Sequence, residues 1–216
     1  MIDLHTHSIF SDGALIPSEL VRRAMAVGYK AIAITDHGDL SNIDFIIPRL
    51  ADVSRELEKY WKIKVIPGIE LTHIPPQTIK DLTRKSRNLG AKIVVIHGET
   101  IVEPVPAGTN LAAINSDIDI LAHPGLITED EVSLAREKRI FLEITTRKGH
   151  SLSNGNVAKL ALKTGASLVV NTDAHAPSDL VKKEFAERVL LSAGIPKNLI
   201  GKIFENSQKL IKKIYS

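Results

Sequence analysis

Short apolar runs alternate with longer amphipathic stretches along nearly the whole chain, and this alternation restricts the fold more than any other feature of the sequence. The runs are Ile2 to His5, Ala31 to Thr35, Lys64 to Leu71, Lys92 to His97, Ile118 to Ala122, Ile140 to Ile144 and Ser167 to Asn171. Runs such as Ala31 to Thr35 are continuously apolar, as strands buried on both faces are. Strands that alternate with helices pair in parallel through crossover helices. Seven such units within 216 residues suit one closed or nearly closed barrel filling a single domain, 1–216. The rival is an open doubly wound sheet. No Gly-x-Gly-x-x-Gly follows the first strand, which weakens a dinucleotide-binding reading.

The helices carry ordinary start and stop signals. Pro17 opens the first and Gly28 closes it, with Leu20, Val21, Ala24 and Val27 on one face. Ser41 or Asn42 caps a second helix to about Tyr60, in which Pro48 marks a kink or a late start. A third runs from about Gln77 to Leu89 and ends at Gly90, and a short one runs to Asn115. Thr128 caps Glu129 to Lys138, and Asn154 or Asn156 caps the helix ending at Gly165. Ser178 to Leu191 and Lys197 to Ile214 complete the set.

The strand ends carry the chemistry. Asp3-Leu4-His5-Thr6-His7 places two imidazoles two positions apart, on one side of an extended segment, which is half a metal site. Asp36-His37 follows the second strand, Glu70 ends the third, His97 the fourth and His123 the fifth. Glu143 lies on the sixth, and Asp173 and His175 follow the seventh. In a parallel barrel these ends emerge on one face, the face that carries active sites. Six of the eight histidines fall there, a regularity that scattered core or surface histidines would not show. Ser11-Asp12-Gly13 reads equally as a ligand-bearing segment or as a turn in which Asp12 bonds its own backbone.

Composition narrows the chemistry. There is no cysteine, so disulfides and thiolate ligands are excluded, and a metal must be held by His, Asp and Glu. That donor set accepts zinc, manganese, iron or magnesium. No apolar run approaches the roughly 20 residues of a membrane span, and the start shows no secretory pattern, so a cytoplasmic location is expected. A net charge of +3 and 4% aromatic residues argue against long nucleic-acid tracks, without excluding nucleic acid. Lys80, Arg84 and Arg87 share a helix face opposite Ile79, Leu82 and Leu89, which reads as a solvated outer face.

His5-Thr6-His7, Ser11-Asp12-Gly13, Thr35-Asp36-His37, Pro67-Gly68-Ile69-Glu70, His97, His123-Pro124 and Asp173-Ala174-His175 resemble, in order and spacing, the motifs of the polymerase and histidinol phosphatase (PHP) superfamily. The chain is most similar to its small stand-alone, histidinol-phosphatase-like members. The resemblance implies a distorted seven-stranded, TIM-like barrel with a trinuclear metal site at the C-terminal strand ends, and phosphoester hydrolysis. It implies His5, His7, Glu70 and Asp173 around one ion and Glu70 bridging to a second on His97 and His123. A third ion would take Asp12, His37 and His175; some relatives have His at the position of Asp12.

The expected activity is hydrolysis of a small phosphomonoester by a metal-bridging hydroxide, with two to three divalent ions. Three acids leave such a site net positive and attractive to phosphate, and metals about 3.5 to 4 Å apart activate a shared water. Arg147, beside Lys148 after the sixth strand, is expected to clamp the phosphate. Glu143 is expected to accept a hydrogen bond from a metal-bound histidine, and Asp36 to orient His37 or another ligand or simply to serve a turn. His73 and His150 read mainly as surface histidines. The loop Glu103-Pro104-Val105-Pro106 reads as a rigid pocket wall. The alternatives are a phosphodiesterase or exonuclease on oligonucleotides, a structural RNA-binding barrel like the related RNase P subunit, and an amidohydrolase. The amidohydrolases share His-x-His but supply a different metal bridge where this chain has His97. No membrane partner is expected, and the substrate, the metal and the oligomeric state stay open.

Overall fold

The computed structural model describes residues 1–215. The strands are β1 (Ile2–Asp3), β2 (Ala31–Ile34), β3 (His37–Gly38), β4 (Lys64–Leu71), β5 (Ile93–His97), β6 (Ile120–Ala122), β7 (Phe141–Thr145) and β8 (Leu168–Asn171). The helices are α1 (Pro17–Val27), α2 (Ile43–Tyr60), α3 (Ile79–Asn88), α4 (Thr109–Ile114), α5 (Glu129–Lys138), α6 (Asn154–Thr164), α7 (Lys183–Ser192) and α8 (Lys197–Ile214). Every ladder is parallel, in the order β1-β2-β4-β5-β6-β7-β8. β3 is no independent strand. Ile34 pairs with Pro67 and His37 with Glu70, so β3 continues β2 in the same register after a break at Thr35-Asp36. The wall is therefore the expected seven strands.

Between β8 and β1 the wall closes without a ladder. A parallel bridge joins Thr6 to Ala174, and the His5 carbonyl accepts from the Asp173 N–H at 2.9 Å. Side chains complete the seam. The Leu4 N–H donates to Asn171 Oδ1 at 2.9 Å, and the Thr172 hydroxyl donates to Asp3 Oδ2 at 2.5 Å. Asp3 is fully buried, and burial pushes its carboxyl up to about 6. The barrel is nearly closed.

Two apolar layers follow from strand alternation. Leu4, Ala33, Ile66, Ile93, Val95, Ile120, Ala122 and Val169 fill the interior with Leu210 from α8. Outward residues such as Ile32, Ile34, Val94, Leu121 and Leu142 pack against the helices. On β4, β5 and β8 the inward face is apolar at the strand's start and polar at its end: Ile66 then Glu70, Ile93 and Val95 then His97, Val169 then Asn171. The barrel thus has a dry half, packed by α8, and a polar half.

Most boundaries agree with the sequence. Gly28 closes α1 in the left-handed conformation, Thr128 and Glu131 form a reciprocal capping box on α5, and α8 runs from Lys197 to Ile214. Other details differ. β1 ends at Asp3, because the chain beyond it bonds to the segment after β8. α2 starts at Ile43 and continues through Pro48, and the Asn42 side chain bonds the His37 carbonyl instead of capping it. Asn154 and Asn156 do not cap α6. Asn154 bridges to Thr145 on β7, and a 3-10 turn at His150–Ser153 precedes the helix. Another such turn at Pro177–Asp179 delays α7 to Lys183. Arg87 is not merely solvated, since it donates to Asp119 Oδ2 at 2.6 Å.

Two glycines let the polar strand ends approach. A Cβ on Gly98 would stand 2.3 Å from the Ala122 carbonyl oxygen, and one on Gly125 1.8 Å from that of Glu99. Gly125 also has φ +62°. Gly125→Ala is expected to cost on the order of 3 kcal/mol of stability. Urea denaturation measures it, and an unchanged midpoint would mean this corner yields freely.

Candidate metal centre

The polar half of the barrel gathers His5, His7, Asp12, His37, Glu70, His97, His123, Asp173 and His175 at one end. Glu70 is central and fully buried. Its Oε2 lies 2.8 Å from His37 Nδ1, 3.3 Å from His5 Nε2 and 3.6 Å from His7 Nε2, and its Oε1 lies 3.6 Å from His123 Nε2. Asp173 faces it across the strand ends. Its Oδ1 is 3.1 Å from His7 Nε2 and 3.7 Å from His5 Nε2, and its Oδ2 is 3.7 Å from His123 Nε2. Asp12, half-exposed at the rim, reaches His175 Nε2 at 3.1 Å and His37 Nε2 at 3.5 Å.

His123 and Asp173 have φ of 27° and 53°, a left-handed backbone uncommon for residues other than glycine. Such conformations cost about 1–3 kcal/mol and cluster at functional sites.

Seven buried atoms here lack any hydrogen-bond partner: His5 Nε2, His7 Nδ1 and Nε2, both Glu70 oxygens, His123 Nδ1 and Asp173 Oδ1. Buried polar atoms are paired in the great majority of cases. A concentration of lone-pair donors facing one another is what divalent cations satisfy, and nitrogen with carboxylate oxygen suits zinc, manganese or iron. The residues fit a metal centre. Donor atoms lie within 4.8 Å of one another in the sets His5-His7-Glu70, His5-His123-Asp173 and His7-Asp12-His37-His175. His7 therefore reaches two neighbouring positions.

Electrostatics point the same way. Burial works to raise the Glu70 carboxyl, yet the imidazoles of His5 and His37 overcome it and hold Glu70 well below the usual range. Burial pushes Asp173 up to about 7 despite His5. Burial and neighbouring imidazoles keep His7 and His123 neutral, the form that binds metal.

Supporting residues surround this shell. His5 Nδ1–H donates to Glu143 Oε1 at 2.9 Å, leaving Nε2 toward the centre. Glu143 also accepts from Asn171 Nδ2 at 2.9 Å and from the His123 N–H at 3.3 Å, tying four strand ends together. Glu143→Gln is expected to weaken metal binding by about 10–100-fold while leaving the fold intact. Competition with a chromophoric chelator measures this, and unchanged affinity would reduce Glu143 to a packing group.

Of the roles open to Asp36, the contacts are those of a turn acid. It accepts from the backbone and hydroxyl of both Ser8 and Ser11, at 2.7 to 3.1 Å, and makes no bond to His37. It secures the loop between His7 and Asp12. The His37 ring bonds instead to Thr72 Oγ1, with Nδ1 2.7 Å away. Arg147 lies at the rim, its Nη1 donating to the Asp173 carbonyl at 3.2 Å and its Nε 3.6 Å from Asp173 Oδ2. Lys148 is exposed.

Sequence reasoning missed Asn171, Thr72 and the burial of His150, which is 4% exposed and no surface histidine. Asn171 left a signal, an amide ending an apolar run. Thr72 and His150 left none. The loop carboxylate of Glu103 lies 3.1 Å from His97 Nε2, 3.0 Å from His73 Nε2 and 3.3 Å from His150 Nε2. Its hydrogen bond with His97 holds Glu103 down at about 2. An open cleft of about 420 Å³ adjoins the centre, lined by Asp12, His37, Asp39, Thr72, His73 and Glu103 among others. A larger hollow, about 560 Å³ and lined by Lys80, Arg84 and Arg87, involves none of the clustered residues.

A sequence profile of the PHP domain matches residues 3–143. An uncharacterized protein of Methanocaldococcus jannaschii is 50% identical over 98% of this chain and 99% of its own length. A probable phosphatase of Clostridium acetobutylicum is 25% identical over 93% of this chain and 89% of that protein. In fold, the chain is similar to the crystal structure of histidinol phosphate phosphatase from Lactococcus lactis, complexed with zinc, L-histidinol and phosphate. The TM-score is 0.65 at 17% identity, covering 90% of this chain and 94% of that one.

Proposed function

The chain belongs to the PHP domain family, and from that premise we propose that it is a metal-dependent phosphoesterase hydrolysing a small phosphomonoester. The observation that carries this reading is the set of buried imidazole and carboxylate atoms without hydrogen-bond partners at the C-terminal strand ends. His5, His7, Glu70 and Asp173 would hold one ion, Glu70 with His97 and His123 a second, and Asp12, His37 and His175 a third. Divalent ions bound there supply a water nucleophile near neutral pH and stabilise charge on the phosphoryl oxygens.

The chain's own residues do the rest. Asp12, Glu70 and Asp173 contribute three negative charges, fewer than two divalent ions carry, so the centre favours an anion. Arg147 is a planar donor at the rim, suited to holding a phosphate by two parallel hydrogen bonds. Glu143 fixes the His5 tautomer, and Asp36 steadies the loop that carries Asp12. The cleft is of the size that takes a small metabolite. The names of the relatives support phosphatase activity.

The test is metal content of the purified protein, with turnover of p-nitrophenyl phosphate and bis(p-nitrophenyl) phosphate, each with and without added manganese. Two to three ions per chain with monoesterase activity support the reading. Turnover of the diester alone would overturn the monoester assignment in favour of a phosphodiesterase, and absence of both metal and activity would overturn the whole. Arg147→Ala is expected to raise KM for the monoester about tenfold, the loss of a charged hydrogen bond, with a smaller change in kcat. Unaltered KM would remove Arg147 from the phosphate site.

A further inference from the structure

His150 and Glu103 stand outside the ligand set assigned above, yet His150 packs beside His97 and His123, and Glu103 reaches both His97 and His150. His150 opens the 3-10 turn after β7 and is buried. Its ring stacks on that of His123, with centroids 4.2 Å apart and planes 16° apart. Its Nδ1 lies 2.7 Å from Thr100 Oγ1, and with the hydroxyl accepting from Nδ1–H the Nε2 lone pair is available to a cation. That Nε2 points into the centre, 3.3 Å from Glu103 Oε1 and 4.0 Å from Asp173 Oδ2. Glu103 presents its other oxygen to His97 Nε2 at 3.1 Å, from a loop stiffened by Pro104 and Pro106.

These separations have the dimensions of a coordination shell. Neighbouring donors about 2.0–2.1 Å from an ion in a four- or five-donor shell lie about 2.8–3.6 Å from one another. Glu103 meets that spacing with one oxygen toward His97 and with the other toward His150, as a carboxylate presenting both oxygens to the same position does. Donor atoms of His97, His123 and His150 also lie within 4.8 Å of one another. A buried imidazole whose second nitrogen is already bonded to an oxygen is the usual arrangement of a metal-bound histidine.

We propose that His150 and Glu103 are further ligands of the ion held by His97 and His123, which thereby has three imidazoles and a loop carboxylate in addition to the shared Glu70. The proposal rests on the metal-centre reading above. A shell of three imidazole nitrogens selects zinc over magnesium, whose preferred donors are oxygen.

The experiment uses the full chain, loaded with zinc or cobalt(II), and four proteins: wild type, His97→Ala, His150→Ala and Glu103→Gln. The readouts are zinc retained after gel filtration, zinc affinity by competition with a chromophoric chelator, and visible absorption of the cobalt form. His150→Ala is expected to lower affinity at one position at least about tenfold and to weaken the cobalt absorption. Glu103→Gln, at an exposed position that tolerates the change, is expected to perturb the same position less. Wild-type affinity and spectrum in both variants, with loss in His97→Ala, would overturn this proposal alone. A wild-type protein that retains no ion would overturn the metal-centre reading, and this proposal with it. Should His150→Ala fail to fold, Glu103→Gln decides.

Discussion

Glu70→Gln is expected to strip the protein of more than one ion and to lower phosphoesterase turnover by at least about a thousandfold, the scale on which metal-activated hydrolysis depends. The reason is geometric. One carboxylate lies within 3.6 Å of His5, His7, His37 and His123, on both sides of the centre. Glutamine keeps the shape, so β4 and its neighbours stay packed. It removes the charge that holds the imidazoles together and turns one oxygen into an N–H₂ that cannot bind a cation. Metal analysis by mass spectrometry and kcat on a monoester check this. A variant that keeps its ions and more than a tenth of its activity would remove Glu70 from the bridging position.

Metal removal is the second large effect. The unfolded chain has no such donor set, so ion binding adds to folding stability. At free ion a thousand times the dissociation constant, one ion contributes about 4 kcal/mol. For a chain of this size that is roughly 8–16 °C in Tm. Calorimetry with and without a chelator is expected to show a drop of that order.

The drop also has a sign in pH. In the metal-free fold Asp173 is raised to about 7 by burial, from an ordinary 3.8. Between those values the folded chain keeps a proton that the unfolded chain has lost. The metal-free protein therefore loses stability from Asp173 as pH rises through that window. Burial opposes protonation of His5, but Glu143, Glu70 and Asp173 outweigh it, so His5 is raised as well. Metal binding must displace these protons, so affinity grows with pH and the gap in Tm between the loaded and stripped proteins widens from pH 5 to 7.5. A gap that stays constant, or narrows, would mean that other groups bind the ion.

The strand ends were legible because alternation projects Glu70, His97 and Glu143 from the same faces as apolar residues two or four positions earlier. The capping box on α5 was legible because its chemistry is local. What could not be read depends on contacts between distant segments. Nothing in Thr35-Asp36-His37 says that Asp36 turns to Ser8 and Ser11, 28 and 25 positions earlier. The positive φ of His123 and Asp173 carries no glycine to announce it. His150 and Glu103 sit in loops, where neighbouring residue types carry little information about burial.

The seam between β1 and β8 joins Asp3 to Thr172, 169 positions apart. At a translation rate of about 5–20 residues per second, the first histidines of the centre wait roughly 10–30 s for Asp173 to be made. Until then a nascent chain holds only fragments of the centre, none with the acids of both Glu70 and Asp173. A truncated or stalled product, even one containing the whole of residues 3–143, has neither the closing segment nor the residues that follow it. On the metal-centre reading, hydrolytic competence therefore waits on closure of this seam, which brings Asp173 to Glu70, and not on the histidines alone.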